Sequence, residues 1–189
     1  IGKKTSQIEE LSFLYNKLDL LIKKISMRTI NNEILIDGKI DNKNLVLEED
    51  FIKRFYKNDL FHFKKINLNS ENIFSFKINK KYQFKDFKLN SKIKINDALM
   101  IYDFDLNQIF PNTNKKVNFV NHIIDLDYSK NNFKIFGKGN ILIQKFEDEI
   151  SYLFNSKNKI LNFDTNFIMN KNSLLIDFLN FKKSENTKL

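Results

Sequence analysis

Two histidines, His62 and His122, and two aspartate pairs, Asp103 with Asp105 and Asp125 with Asp127, are the side chains of this sequence best suited to proton or metal chemistry. Each histidine lies beside apolar neighbours and has no Ser or Cys nucleophile motif to serve, so each reads as a structural residue with its hydrogen bonds satisfied. Carboxylates two residues apart on a strand share a face, where they could hold a metal ion or share a proton. The wet face of an amphipathic strand produces the same spacing, and that reading is preferred. Gly137-Lys138-Gly139 is the one Gly-x-Gly. It interrupts an alternating run rather than joining a strand to a helix, so it is no dinucleotide fingerprint. A bend, a bulge or a close backbone approach accounts for it better. No Gly-Lys-Ser/Thr, His-Glu-x-x-His or Gly-x-Ser-x-Gly occurs, and cysteine is absent, which removes disulfides and thiolate sites. The expectation is a protein that is not an enzyme and has no metal or cofactor site.

The charge of +9 at first suggests an anionic partner. Of the 32 basic residues, however, only Arg28 and Arg54 are arginine, whereas phosphate and base recognition favours the arginine fork. Lys, Asn, Ile and Phe together dominate the chain, as an AT-rich coding sequence would produce. A solvated lysine surface is therefore expected, and no nucleic acid. The longest unbroken apolar run is Ala98 to Tyr102, far below the ~20 residues of a spanning helix. The chain opens on Ile1 without a targeting signal, so it reads as a fragment or a processed chain, with any anchor or export signal expected outside it.

The elements that must position these residues follow from periodicity. Ser6 and Glu9 have capping-box spacing, and Ile8, Leu11, Leu14, Leu18, Leu21, Ile22 and Ile25 recur at helical intervals. This predicts an N-terminal amphipathic helix over 7–25. A shorter helix is predicted from about Leu47 to Lys57, with Glu48, Glu49 and Asp50 at its positive end and Phe51, Ile52, Phe55 and Tyr56 on its apolar face. Ile34, Ile36 and Ile40 suggest a strand between them. From Ile73 onward period 2 dominates: Phe74, Phe76, Ile78; Phe87, Leu89, Ile93, Ile95; Ile124, Leu126, Tyr128; Phe133, Ile135, Ile141, Ile143; Leu161, Phe163, Phe167, Met169. Asn-rich turns separate these runs, and Pro111, the one proline, falls in a loop. The predicted fold is mainly β (α+β). Residues 1–189 form one β-rich segment, with a helix-containing part over 1–72 and an antiparallel meander over 73–189.

A meander with one apolar face packs against helices, closes as a barrel, or curls into a groove for an apolar ligand. Phe133, Ile135, Ile141, Ile143, Leu161, Phe163, Phe167 and Met169 are the residues expected to line one continuous surface. Twenty Phe against six Tyr and no Trp suit a dry core or a lipid-lined face, and disfavour the aromatic girdles of an outer-membrane barrel.

The runs Phe133–Lys145, Glu149–Phe154, Leu161–Phe167 and Leu174–Lys183 resemble the repetitive β-region of AsmA-like envelope proteins, the group that includes TamB and YhdP. The composition is similar to that of versions from AT-rich alphaproteobacteria. The likeness covers roughly Ile73 to Lys183 and rests on alternation around a Gly-x-Gly. It implies a long β-groove in the periplasm, tethered to the inner membrane and involved in phospholipid transport and outer-membrane biogenesis, with acyl chains along the apolar strand faces. Against this stand a small lipid or lipoprotein carrier and a structural or interaction module without ligand.

Overall fold

The computed structural model describes residues 5–15, 18–158 and 160–187. Nine strands form one antiparallel sheet in sequence order. They are β1 (Thr5–Tyr15), β2 (Leu18–Ile30), β3 (Glu33–Glu48), β4 (Phe61–Ile78), β5 (Phe84–Tyr102), β6 (Lys116–Ser129), β7 (Asn132–Leu142), β8 (Glu147–Lys157) and β9 (Ile160–Ile168). The sheet does not close into a barrel, and no strand among the described residues covers the outer edges of β1 and β9. A two-stranded hairpin of β10 (Leu174–Ile176) and β11 (Phe181–Lys183) follows. No helix among the described residues is long and apolar enough to cross a membrane.

Asparagine makes the turns, as expected. Asn31 and Asn32 both take positive φ, 49° and 64°, between the paired Ile30 and Glu33. Two left-handed residues in a two-residue loop match the twist of a hairpin. Asn131 and Asn158 sit at φ 63° and 50° in the turns after β6 and β8.

The first third differs from expectation. The predicted helix over 7–25 is absent among the described residues, and β1 and β2 pair there along almost their whole length. The cause is a step of three. Ile8 pairs with Ile25 and Leu11 with Ile22, so apolar residues three apart remain on one face. Glu10 makes this possible by taking φ 51°, and the register of β2 on β3 slips between Ile22 and Lys24. Such a bulge adds one residue and holds the face, and the resulting i, i+3 spacing imitates a helix. The same device recurs at Asn44 in β3 (Asn42 to Leu45), Asp86 in β5 (Phe84 to Phe87) and Asn121 in β6 (Phe119 to His122), all with positive φ.

The second predicted helix shrinks to one turn, α1 (Glu49–Ile52), because β3 continues through Leu47 to Glu48. Ile52 is buried, while Phe55 projects into solvent. Glu49 accepts from Lys53 at 2.7 Å and Lys64 at 2.6 Å, and these bonds hold its carboxyl down to about 2. Asp103 and Asp105 lie in the loop after β5, not on a strand, and Asp105 accepts from the backbone N–H and side-chain amide of Asn107. Asp125 and Asp127 are exposed on the wet face of β6.

Candidate functional site

Register carries one apolar face across the whole sheet. Ile36 of β3 meets Phe76 of β4, Leu89 of β5 meets Tyr128 of β6, and Tyr128 meets Phe133 of β7. From β7 the face crosses β8 to β9: Ile135 pairs with Phe154 and Phe154 with Phe163, Phe133 with Ser156 and Ser156 with Leu161, Gly139 with Ile150 and Ile150 with Phe167. Directly opposed residues of an antiparallel pair point the same way. Phe133, Ile135, Ile141, Leu161, Phe163 and Phe167 therefore lie on one side of the sheet, with β8 between the two groups. Ile143 and Met169 fall just beyond the ends of β7 and β9. Ile143 packs on the core and Met169 is buried.

The two ends of this face differ. At one end Tyr102, Val117 and Ile141 form a buried cluster, with Phe61, Met100, Leu106, Phe119, Ile143, Ile150 and Phe167 against it. Two segments cap it. The loop 103–115 contributes Leu106 to the cluster, while its Pro111 carbonyl accepts from Gln144 Nε2 at 2.5 Å. The chain after β9 returns across this end. Asn172 accepts from the Phe146 N–H at 3.0 Å and donates to the Phe146 carbonyl and to Asp148, standing in for a paired strand. Buried Lys183 donates to the Asn172 carbonyl at 2.6 Å, and the Leu175 N–H donates to the Ile109 carbonyl at 3.0 Å.

At the opposite end, near the turns after β4, β6 and β8, the face is a row of rings. Phe74, Phe76, Phe84, Phe87, Tyr128, Phe133, Phe154 and Phe163 touch in succession, with centroids 4.3 to 6.5 Å apart. Offset and edge-to-face contacts of this kind contribute about 0.5–1.5 kcal/mol per pair beyond area burial. No element among the described residues covers the row: Phe163 is 64 % exposed and Phe84 58 %. Sequence alternation places most of these rings on strand faces one strand at a time. Their lateral contact depends on the bulge-set register, for which the sequence offers only scattered Asn and Asp residues.

Between the ends, Gly137 and Gly139 make the floor flat. A Cβ on Gly139 would lie 2.4 Å from the His122 ring, and one on Gly137 2.2 Å from the Tyr152 ring, so the expected close approach is between these glycines and two rings. His122 is 1 % exposed, edge-on to Phe119 and stacked on Tyr152. The carbonyls of Val120 and Asn140 face it, yet neither ring nitrogen closes a well-formed hydrogen bond. His122 is thus held by packing rather than by the satisfied hydrogen bonds expected of it. Burial pushes it below the ordinary imidazole range. The unfolded chain therefore takes up a proton near pH 6.5 that the folded chain refuses, and stability falls as pH falls below that value. We expect the denaturant midpoint to drop between pH 7 and pH 5, and His122→Gln to flatten that slope. An unchanged slope in the variant would assign the acid sensitivity to other groups. His62, by contrast, sits half-buried 3.6 Å from Glu49 at the edge of the α1 charge cluster.

The reverse face is wet. A cleft of about 610 Å³ there is bordered by Asp41, Glu71, Lys92, Lys94, Ile123 and Asp125. Its charges largely compensate, and Lys39 bonds Glu71 at 2.9 Å, which raises the lysine and lowers the carboxylate. No group of three or more His, Cys, Asp or Glu arranged for a metal ion occurs among the described residues. Comparison of the chain with protein-family models, with curated proteins and with solved structures finds no match.

Proposed function

We propose that this chain is a non-catalytic segment of an AsmA-like envelope protein that carries phospholipid acyl chains along its apolar sheet face. The observation that carries the reading is the uncovered ring row continuous with the apolar face of nine strands. A monomeric soluble domain rarely leaves so much contiguous apolar surface unused. Phe and Ile offer acyl chains contact area without polar atoms to satisfy, and a curl of the sheet around its bulges would wrap them. Two open edges suit a unit within a longer sheet. Resemblance to the family adds the setting: the periplasm, a tether to the inner membrane outside this segment, and a part in outer-membrane biogenesis.

Phe163 provides the test, because it lies in the row yet is exposed enough to be changed without opening the core. We expect native mass spectrometry of wild-type protein to find co-purified phospholipid. Phe163→Asp should keep the wild-type melting temperature within a few degrees and lose most of that lipid, since a carboxylate in the trough must be desolvated by every chain that enters. Folded wild-type protein that neither carries lipid nor takes up labelled phospholipid would sink the reading and favour a structural module.

A further inference from the structure

Charge is distributed unevenly along the strand axis. At the ring-row end, eight described lysines lie in the turns and their flanks: Lys77, Lys80, Lys81, Lys85 and Lys88 around the β4–β5 turn, Lys130 and Lys134 around the β6–β7 turn, and Lys157 at the end of β8. The carboxylates at this end are Glu33, Asp37, Asp86 and, slightly further in, Asp127, and Asp37 is bonded by Arg28 at 2.6 Å. Asp86 bonds Lys77 at 2.9 Å and Glu33 lies 3.8 Å from Lys85, while no ion pair among the described residues engages the other six lysines. At the capped end, segments 48–60, 103–116, 145–149 and 169–187 hold nine basic and eleven acidic side chains. A compositional excess of lysine would not spare one end. The same basic turns hold out large apolar side chains: Tyr82 is 89 % exposed, close to Phe84 in sequence, and Leu161 and Phe163 stand exposed at the start of β9.

We infer that the ring-row end of the sheet is a docking surface for an anionic phospholipid bilayer. Unpaired lysines in a collar draw the end to the negatively charged surface, and the projecting rings enter the headgroup region. The two features are complementary to a membrane surface in charge and in polarity. The capped end also exposes large apolar side chains, Phe55, Leu60, Phe178 and Leu179 among them, but its acidic side chains outnumber its basic ones, so only the ring-row end joins exposed rings to a lysine excess. This goes beyond the carriage of acyl chains and stands without it, since the attraction comes from turn lysines that lie outside the trough, although Leu161 and Phe163 belong to both surfaces.

The experiment is co-sedimentation of the whole chain with vesicles of phosphatidylcholine alone and with 30 % phosphatidylglycerol. We expect binding to the anionic vesicles only, weakening more than about tenfold as salt rises from low to several hundred millimolar. Each lysine near such a surface contributes about a fivefold factor, so Lys80→Glu with Lys81→Glu and Lys130→Glu should weaken binding by roughly a hundredfold or more. These side chains are exposed, and an unchanged melting curve verifies the fold. Lys53→Glu with Lys57→Glu, at the capped end, should leave binding within about twofold of wild type, the scale of weak distant-charge effects. Equal binding to neutral vesicles, or equal sensitivity to the capped-end changes, overturns the inference. So does binding of polyuridylate with the same lysine dependence and no vesicle binding, which would make this a nucleic-acid surface. Lipid extraction from vesicle-free protein is scored separately, so the trough and the docking end can fail independently.

Discussion

Gly139→Val unfolds the sheet or costs about 3 kcal/mol or more, at the upper end of the range for overpacking a tightly packed site. The new Cβ would lie 2.4 Å from His122 Nδ1 and 2.6 Å from His122 Cα. The second contact matters more. A ring can swing aside, but a Cα moves only if β6 moves on β7. His122→Ala should therefore restore only part of the loss caused by Gly139→Ala. Gly137→Ala behaves differently, since its close contacts are the Cζ, Cε2 and Oη atoms at the tip of the Tyr152 ring. Tyr152→Ala should rescue it almost fully. Denaturant midpoints of the five single and two double variants measure this. A Gly139→Val protein with the wild-type midpoint, or full rescue by His122→Ala, would show that β6 and β7 do not approach as described.

Ile141→Asp is expected to cost about 4 kcal/mol, from the lost transfer energy of a buried isoleucine and the desolvation of a charge. Ile141 is 7 % exposed in the cluster with Tyr102 and Val117, and its partner across β8 is Asp148, itself buried with one carboxylate oxygen unbonded. A carboxylate placed at 141 would face a like charge. Ile141→Lys brings an ammonium to the same neighbour and should cost about 2 kcal/mol less, by the usual scale of hydrogen bonds between charged groups. Equal losses in the two variants would mean that Asp148 is not within reach. Both substitutions report on the capped core, and neither isolates lipid carriage as Phe163→Asp does.

The faces of β7 and β9 were legible because no residue is inserted within either run. Phe133 and Ile135 keep one parity through Gly137 and Gly139 to Ile141, and β7 meets β8 without a slip. The N-terminal third was misread because β1 and β2 carry their bulge at the same level, turning alternate spacing into steps of three. Leu14 and Leu21, counted into the helical stripe, point to the other side from Phe13 and Leu20. The capped end was not legible. Leu106, Pro111, Asn172 and Lys183 act across distant stretches of chain, and no local pattern marks a loop as a lid for a strand end. His122 looked like a residue needing polar partners, because nothing near it in sequence announces that it will lie flat on a glycine of the next strand.

The sequential strand order has a consequence for how the chain finds its structure. Each strand of the large sheet pairs only with those before and after it in sequence. Most hairpins therefore close a short turn, the longer connections being 49–60 and 103–115, and no distant pair of strands must meet before the sheet can grow. Assembly becomes a nearest-neighbour process, in which each added strand is templated by the last and an error stays within its own pair, much as in stacked repeats. The capped core, where the loop 103–115 and the chain after β9 reach back across β6 to β8, is the place where this linear order is interrupted and distant parts of the chain become cooperative.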